Sequence, residues 1–319
     1  MNSFYKLLIF IGLTAILKIN FFSCKEPDKP KLEATNTVTA VEDSIASVAL
    51  RPAFELTTDF KTYWYSGTAE ISSYQLEQAR YGEIRKGQAA LIYVTEPFLP
   101  DIQVKADQSS ASSIPVLKLN ATKKFNTGIY PYAIMQSTFY PVNNTQHALK
   151  VSCSVQEWCG HVYTQLNNRR QFEIMSHSYF ENEADQKFAL EKSILENELW
   201  TQLRLDPQSL PTGNIDIIPS LEFIRLKHIP LRAYKANANL ESDKYVISYP
   251  ELERTLTIRF KPSFPYDIVG WEEAFKSGFG KNAEVLTTKA TKIKTIKSAY
   301  WNKNSNTDED LRQTLQLKS

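Results

Sequence analysis

Glycine is scarce in this chain, with ten in 319 residues, under half of the usual share of about 7%. No GxGxxG or GxxxxGK[ST] run occurs, so the common phosphate-cradling folds are excluded. Charge of one sign is lacking too: 37 basic and 35 acidic side chains leave a formal +2, which sets up no field that favours nucleic acid as a partner. Histidine occupies only positions 147, 161, 177 and 228. These show neither HExxH spacing nor a paired-cysteine zinc pattern, and no metal, cofactor or catalytic residue is expected from them. Long apolar runs are absent after residue 40, which leaves the body without a membrane-spanning helix candidate.

The one long apolar run lies at the start. Met1 to Lys6 carries a single positive charge, and Leu7 to Leu17 is apolar, the layout of a signal peptide over residues 1–23. A helix of that run spans roughly 16 Å, about half of a bilayer core near 30 Å. Phe21-Phe22-Ser23-Cys24 then resembles a lipobox, followed at once by the polar stretch Lys25 to Lys31. Cys24 is therefore the expected lipidation site. Acyl chains there, each worth roughly 0.8 kcal/mol per buried CH₂, hold a protein on a membrane without help from its fold. The expected address is the outer membrane, with the periplasmic and cell-surface faces both open, and the expected partner is that membrane, through the lipid. Residues 24–54 carry prolines and mixed charges without apolar periodicity and read as a flexible tether.

What remains is rich in aromatics, at 12%, and in alternating Thr, Val, Ile and Tyr, which favours antiparallel strands. An N-terminal β region is expected over residues 55–183, with a hairpin from Ile71–Tyr81 to Gln88–Thr95 turning across residues 82–87. Further strands are expected at Ile114–Leu119, Gly128–Tyr140, Ala148–Glu157, His161–Leu166 and Phe172–Phe180. Between Ala184 and Leu205 the period changes, with Ile194, Leu195, Leu199 and Leu203 at three- and four-residue steps, so residues 184–214 read as one amphipathic helix and a linker. Its expected inner face is Leu195, Leu199 and Leu203, with Glu191, Lys192 and Glu198 in water. A second β region follows over residues 215–301, including Leu221–Leu226, with a short helix at Glu272–Lys276. Residues 302–319 read as a polar, fraying tail. The expected fold is mainly β (α+β), antiparallel, with a curved sheet or two sheets packed on a single central helix.

Few residues suggest chemistry. Cys153 and Cys159 form an even pair in an oxidising compartment and invite a disulfide. A straight strand would hold them roughly 20 Å apart, so a bridge needs a reversal near Gln156, and two unbridged thiols are the alternative. Trp158-Cys159-Gly160-His161 sets a thiol near an imidazole, but strand neighbours point to opposite faces. The carboxylate pairs Glu181/Glu183 and Glu272/Glu273 carry no further signal of glycoside hydrolysis. The aromatics Tyr63, Trp64, Tyr65, Tyr130, Tyr132, Phe139 and Tyr140 suit a sheet core, or else a groove for an apolar or glycan ligand.

Four strings, YWYSGTAEISSYQLEQARYGE, ALIYVTEPF, FNTGIYPYAIMQSTFYPV and HALKVSCSVQEWCGHVYTQLNNR, resemble a group of Bacteroidetes lipoproteins that carry the name septum formation inhibitor Maf, over most of residues 55–300. Lys25-Glu26 and Asp43-Ser44-Ile45 likewise resemble the export and O-glycosylation signals of that phylum. The resemblance implies an exported, lipid-anchored protein. The name alone implies a nucleotide pyrophosphatase, yet the serine- and arginine-rich loop of true Maf proteins is missing. The only paired arginines are Arg169-Arg170, at a turn signal after Asn167-Asn168. The reading that follows is a non-catalytic envelope lipoprotein, with the pyrophosphatase as its alternative.

Overall fold

The computed structural model describes residues 56–142 and 147–317. The signal segment, Cys24 and the tether expected over 24–54 lie outside them. Helix α1 (Thr58–Trp64) leads into β1 (Ala69–Arg80), β2 (Glu83–Leu99), β3 (Val104–Lys105), β4 (Ile114–Thr127), β5 (Tyr130–Pro141), β6 (Lys150–Glu157), β7 (Gly160–Asn168), β8 (Phe172–His177) and β9 (Gln186–Leu190). The chain continues through β10 (Ile194–Leu195), α2 (Glu196–Leu205), β11 (Gly213–Ile218), α3 (Leu221–Lys227), β12 (Tyr234–Leu240), β13 (Lys244–Tyr249), β14 (Arg254–Phe260), β15 (Ile268–Ser277), β16 (Glu284–Ser298) and α4 (Asp310–Thr314).

All sixteen strands belong to one sheet, ordered β10-β11-β12-β13-β14-β15-β16-β1-β2-β4-β5-β6-β7-β8-β9, with β3 beside β2. Every pairing is antiparallel except the short parallel β10–β11. The mainly β, antiparallel expectation holds. The two edge strands, β9 and β10, are consecutive in the chain. The four Cα steps from Leu190 to Ile194 span at most roughly 15 Å, so the sheet must curl until its edges approach, although they do not pair.

Strand formation follows the period of two. On β14, Arg254, Leu256, Ile258 and Phe260 turn inward and the residues between them are part-exposed; on β6, Val151, Cys153 and Val155 do the same. The hairpin between β1 and β2 turns more tightly than expected, through Tyr81-Gly82, both at positive φ, and residues 83–87 extend β2. Gly87 is thus no turn residue. A Cβ there would lie 2.4 Å from the carbonyl oxygen of Lys124, so this glycine permits close strand packing.

The helical expectations need correction. The helix expected from Ala184 starts only at Glu196, because residues 186–190 are taken as β9 by the open edge of β8, where Phe188 pairs with Ile174 and Leu190 with Phe172. Nor is there one central helix. Phe60 and Trp64 of α1, Leu199 and Leu203 of α2, and Leu221 and Ile224 of α3 all enter the same core, with Tyr74, Leu76, Tyr93, Leu117, Ile247 and Ile258 of the sheet. Residues 221–226, expected as a strand, are α3: Ser220 caps the Phe223 N–H and His228 closes the helix in the left-handed region. Glu272–Lys276 is part of β15, not a helix. The expected fraying tail forms α4 instead, and Leu315 packs with Ala69, Ile71 and Val94.

Candidate functional site

Helix α2 lies within the curl of the sheet, and its polar side does not meet water. Glu196, Glu198, Gln202 and Arg204 are as buried as Leu199 and Leu203, which corrects the expectation that Glu198 is solvated. Inside a curved sheet a helix has no outer face, so each polar group needs a partner. Arg204 supplies a bidentate pair, Nη1 to Glu70 Oε1 at 2.6 Å and Nη2 to Oε2 at 2.7 Å, while its Nε donates to the Pro265 carbonyl at 2.8 Å. The guanidinium also stacks near the Trp64 and Tyr93 rings. The Tyr63 hydroxyl donates to Glu70 as well. Burial would raise the Glu70 carboxyl, but Arg204 and these hydrogen bonds outweigh it and bring it down to about 2.

A second array links α2 and α3 to the sheet. Arg254 grips Glu196 through Nη1 and Nη2 at 2.5 and 2.7 Å and reaches Glu273 through Nε at 2.7 Å; Tyr249 donates to Glu196 at 2.6 Å. Lys123 donates to Glu222 at 2.7 Å. Gln136 donates to the same carboxylate at 3.0 Å and accepts from Asn197 at 2.9 Å and from the Glu222 N–H at 3.1 Å. Burial pushes the Glu222 carboxyl up, and its neighbours Glu273 and Glu196 add to that, against the pull of Lys123. At the start of α2, Glu198 accepts from the Ala148 N–H at 2.7 Å and the Leu195 N–H at 3.2 Å, and pairs with His147 Nδ1 at 2.8 Å. Together these pairs fasten α2 to strands on both halves of the sheet.

The residues singled out by sequence fall apart in space. Cys153 is buried on β6, its thiol pushed up by burial, and Cys159 is exposed in the β6–β7 turn; neither forms a disulfide. The reversal comes at Trp158-Cys159 and not near Gln156, so Cys153 is separated from the turn by roughly 13 Å of strand, too far for a bridge. Around Cys159 stand Tyr130, Tyr179 and Glu157, whose Oε2 accepts from the Cys159 N–H at 2.8 Å. His161 is exposed on β7 opposite Gln156. His177 faces Asp185 at 3.3 Å, and His228 pairs with Glu183 at 2.6 Å. Glu181 is exposed beside that pair, while Glu272 faces Arg259 and Glu273 faces Arg254 on opposite sides of β15. Tyr132, Tyr140 and Trp64 line the core, Phe139 packs on Phe98 behind the sheet, and Tyr65 is exposed. Among the described residues no three His, Cys, Asp or Glu side chains converge as a metal site, and no helix is long and apolar enough to cross a membrane.

One end of the sheet collects what sequence reasoning missed. The β1–β2, β4–β5, β6–β7 and β15–β16 turns all lie there, as the strand pairings require. Beneath them Arg80 donates to the Leu226 carbonyl at 2.6 Å and to the Tyr81 and Tyr132 hydroxyls at 3.0 and 3.2 Å. Arg225 meets His228 and the Phe180 ring. Neither arginine has a carboxylate within salt-bridge distance among the described residues, and the Nε of each is buried without a hydrogen-bond partner.

No family model matches the chain, and no curated protein sequence matches it. Among solved structures, a DUF1089 family protein from Pseudomonas aeruginosa is similar over 48% of this chain and 82% of its own, at 10% identity and a TM-score of 0.32. A β-barrel-like protein of domain of unknown function DUF1849 from Brucella abortus aligns over 72% of this chain and 97% of its own, at 6% identity and a TM-score of 0.36. A porin-like protein from Bacteroides uniformis aligns over 70% and 95%, at 10% identity and a TM-score of 0.22.

Proposed function

We propose that the chain is an envelope lipoprotein, held on the outer membrane by lipid on Cys24, whose body binds at its surface and performs no catalysis. The observation that carries this reading is the filled interior. The space inside the curled sheet is taken by α2, with Leu199 and Leu203 fully buried, and the acids and bases around that helix are committed to one another in ion pairs. A group locked in a bidentate pair is poorly placed to bind substrate or exchange a proton. Binding of an apolar or glycan ligand then falls to the outer surface. The pyrophosphatase alternative rests on a name: Arg169-Arg170 are exposed at the β7–β8 turn, where Arg169 reaches the Asp101 carbonyl at 2.9 Å and Glu173 at 3.3 Å.

The test is Cys24→Ser expressed in the native host. The variant should lose incorporation of labelled palmitate and move to the aqueous phase in detergent phase separation, where the wild type partitions into detergent. Palmitate labelling of the variant, or detergent partitioning equal to the wild type, would refute the anchor. Release of pyrophosphate from nucleoside triphosphates at an enzymatic rate would refute the non-catalytic part.

A further inference from the structure

The four most exposed large apolar side chains among the described residues are Ile129, Trp158, Val285 and Phe279, at 81, 67, 66 and 65%. All four lie at the hairpin end of the sheet. Phe279 is in the β15–β16 turn and Val285 at its foot, Ile129 is in the β4–β5 turn, and Trp158 is in the β6–β7 turn. Each hairpin occupies two strands, so with strands about 4.8 Å apart the tips follow one another at steps of about 10 Å along the rim. From Phe279 to Trp158 the row crosses six strand spacings, roughly 29 Å along the sheet.

That spacing bears on what could cover the row. A protein partner needs a contiguous close-packed apolar centre ringed by polar groups. Here single apolar side chains are separated by exposed polar residues in or beside the turns, such as Asn126, Gln156 and Asn282. A fluid lipid interface accepts each side chain separately, and it is where tryptophan is favoured. The charges agree. Lys276, Lys281 and Lys86 are exposed at or just behind the tips without an acidic partner, whereas Glu83 is neutralised by Arg85 at 2.8 Å and Glu157 caps the Cys159 N–H. Between Phe279 and Trp158 these lysines face exposed Glu284 and part-exposed Glu77 opposite Lys86, while the acids Glu181, Asp185 and Glu253 sit on the β8–β9 and β13–β14 turns to either side, so the row itself carries the lysine excess that suits anionic headgroups.

We propose that this row of hairpin tips is a second membrane contact, made by the folded body itself with an anionic bilayer and independent of lipid on Cys24. The contact would seat the tips at the headgroup boundary with the opposite end of the sheet turned away. Two exposed tryptophans report on it directly: Trp158 is at the tips, and Trp301 lies beyond the far end of β16 at 46% exposure.

The experiment is quenching of tryptophan emission in the full chain by vesicles of equal parts phosphatidylcholine and phosphatidylglycerol with brominated acyl chains. Quenching should fall several-fold in Trp158→Phe and persist in Trp301→Phe. Ile129→Ser combined with Phe279→Ser should weaken vesicle affinity on the order of tenfold or more, since two partly inserted side chains leave the lipid. These positions are exposed, so unchanged melting temperatures exclude a folding defect. Cys24→Ser should leave the quenching as it is, which separates this contact from the anchor. The proposal is overturned by absence of quenching in the wild type, by equal quenching in Trp158→Phe, by its loss in Trp301→Phe, or by tip-dependent self-association without lipid.

Discussion

Glu70 and Arg204 offer a sharp perturbation, because both are buried to within 1% and their pairing is bidentate. In Glu70→Gln the amide keeps the shape but leaves the Arg204 guanidinium without its counter-charge, and breaking a buried pair in this way costs about 3–5 kcal/mol. The pH dependence gives a second route to the magnitude. The Glu70 carboxyl falls from 4.5 to about 2 on folding, and a drop of that size corresponds to about 3 kcal/mol. Because the folded value is the lower one, this stability is present in full above pH 4.5 and drains away as the pH falls toward 2. At neutral pH, Glu70→Gln should melt roughly 6–10 °C below wild type. In urea titrations the gap between the two proteins should narrow steadily from pH 5 to pH 2. Adding Arg204→Met should recover much of the loss, since the stranded charge is gone and an apolar side chain fills its space. A single variant that melts within about 2 °C of wild type, or a gap that does not close in acid, would refute the role given to this pair.

Three further outcomes follow from the packing. Leu199→Asp places a carboxylate at a position with no exposure and should cost more than about 4 kcal/mol; a near-normal melting temperature would mean that α2 is a movable lid. Gly87→Ala drives a Cβ to 2.4 Å from the Lys124 carbonyl oxygen, so strands β2 and β4 must shift, and urea unfolding should register a loss of about 1–3 kcal/mol. A short maleimide pulse followed by peptide mapping should find label on exposed Cys159 and none on Cys153, which is buried and whose thiol is raised; equal labelling would show that β6 opens readily.

The strands were legible because their period of two survives in the residues: Ala148 to Glu157 and His161 to Leu166 read as strands and fold as β6 and β7. Where the reading failed, tertiary context had overridden local pattern. Phe188 and Leu190 fit a helical spacing, but the unpaired edge of β8 offers their backbone a ladder. Leu221-Glu-Phe-Ile-Arg-Leu226 looks like a short apolar strand, and the Ser220 cap decides for helix. The interior ion pairs were illegible for a different reason. Glu70 meets Arg204 across 134 positions, and Glu196 meets Arg254 across 58, and neither charge sits in a pattern that distinguishes it from a solvated one. The apolar hairpin tips were missed because Ile129 reads as part of a strand, Phe279 falls in no expected element, and nothing links them until the turns are known to share one end.

The placement of β16 beside β1 in the middle of the sheet bears on how this chain can fold. Apart from β2 and β4, between which the short β3 turns back onto β2, every other neighbour in the order from β10 to β9 is consecutive in the chain, so but for the parallel β10–β11 pair the sheet is an up-and-down meander cut at its centre, with the described ends of the chain near the cut. Joining strands separated by more than two hundred residues closes the largest loop available, and such loops slow folding. A permuted chain opened between Leu190 and Ile194, with residues 56 and 317 linked, would read β10 to β16 and then β1 to β9. It would have the same contacts, with the strand pairings now nearly all between sequence neighbours, and should reach them faster than the natural order does.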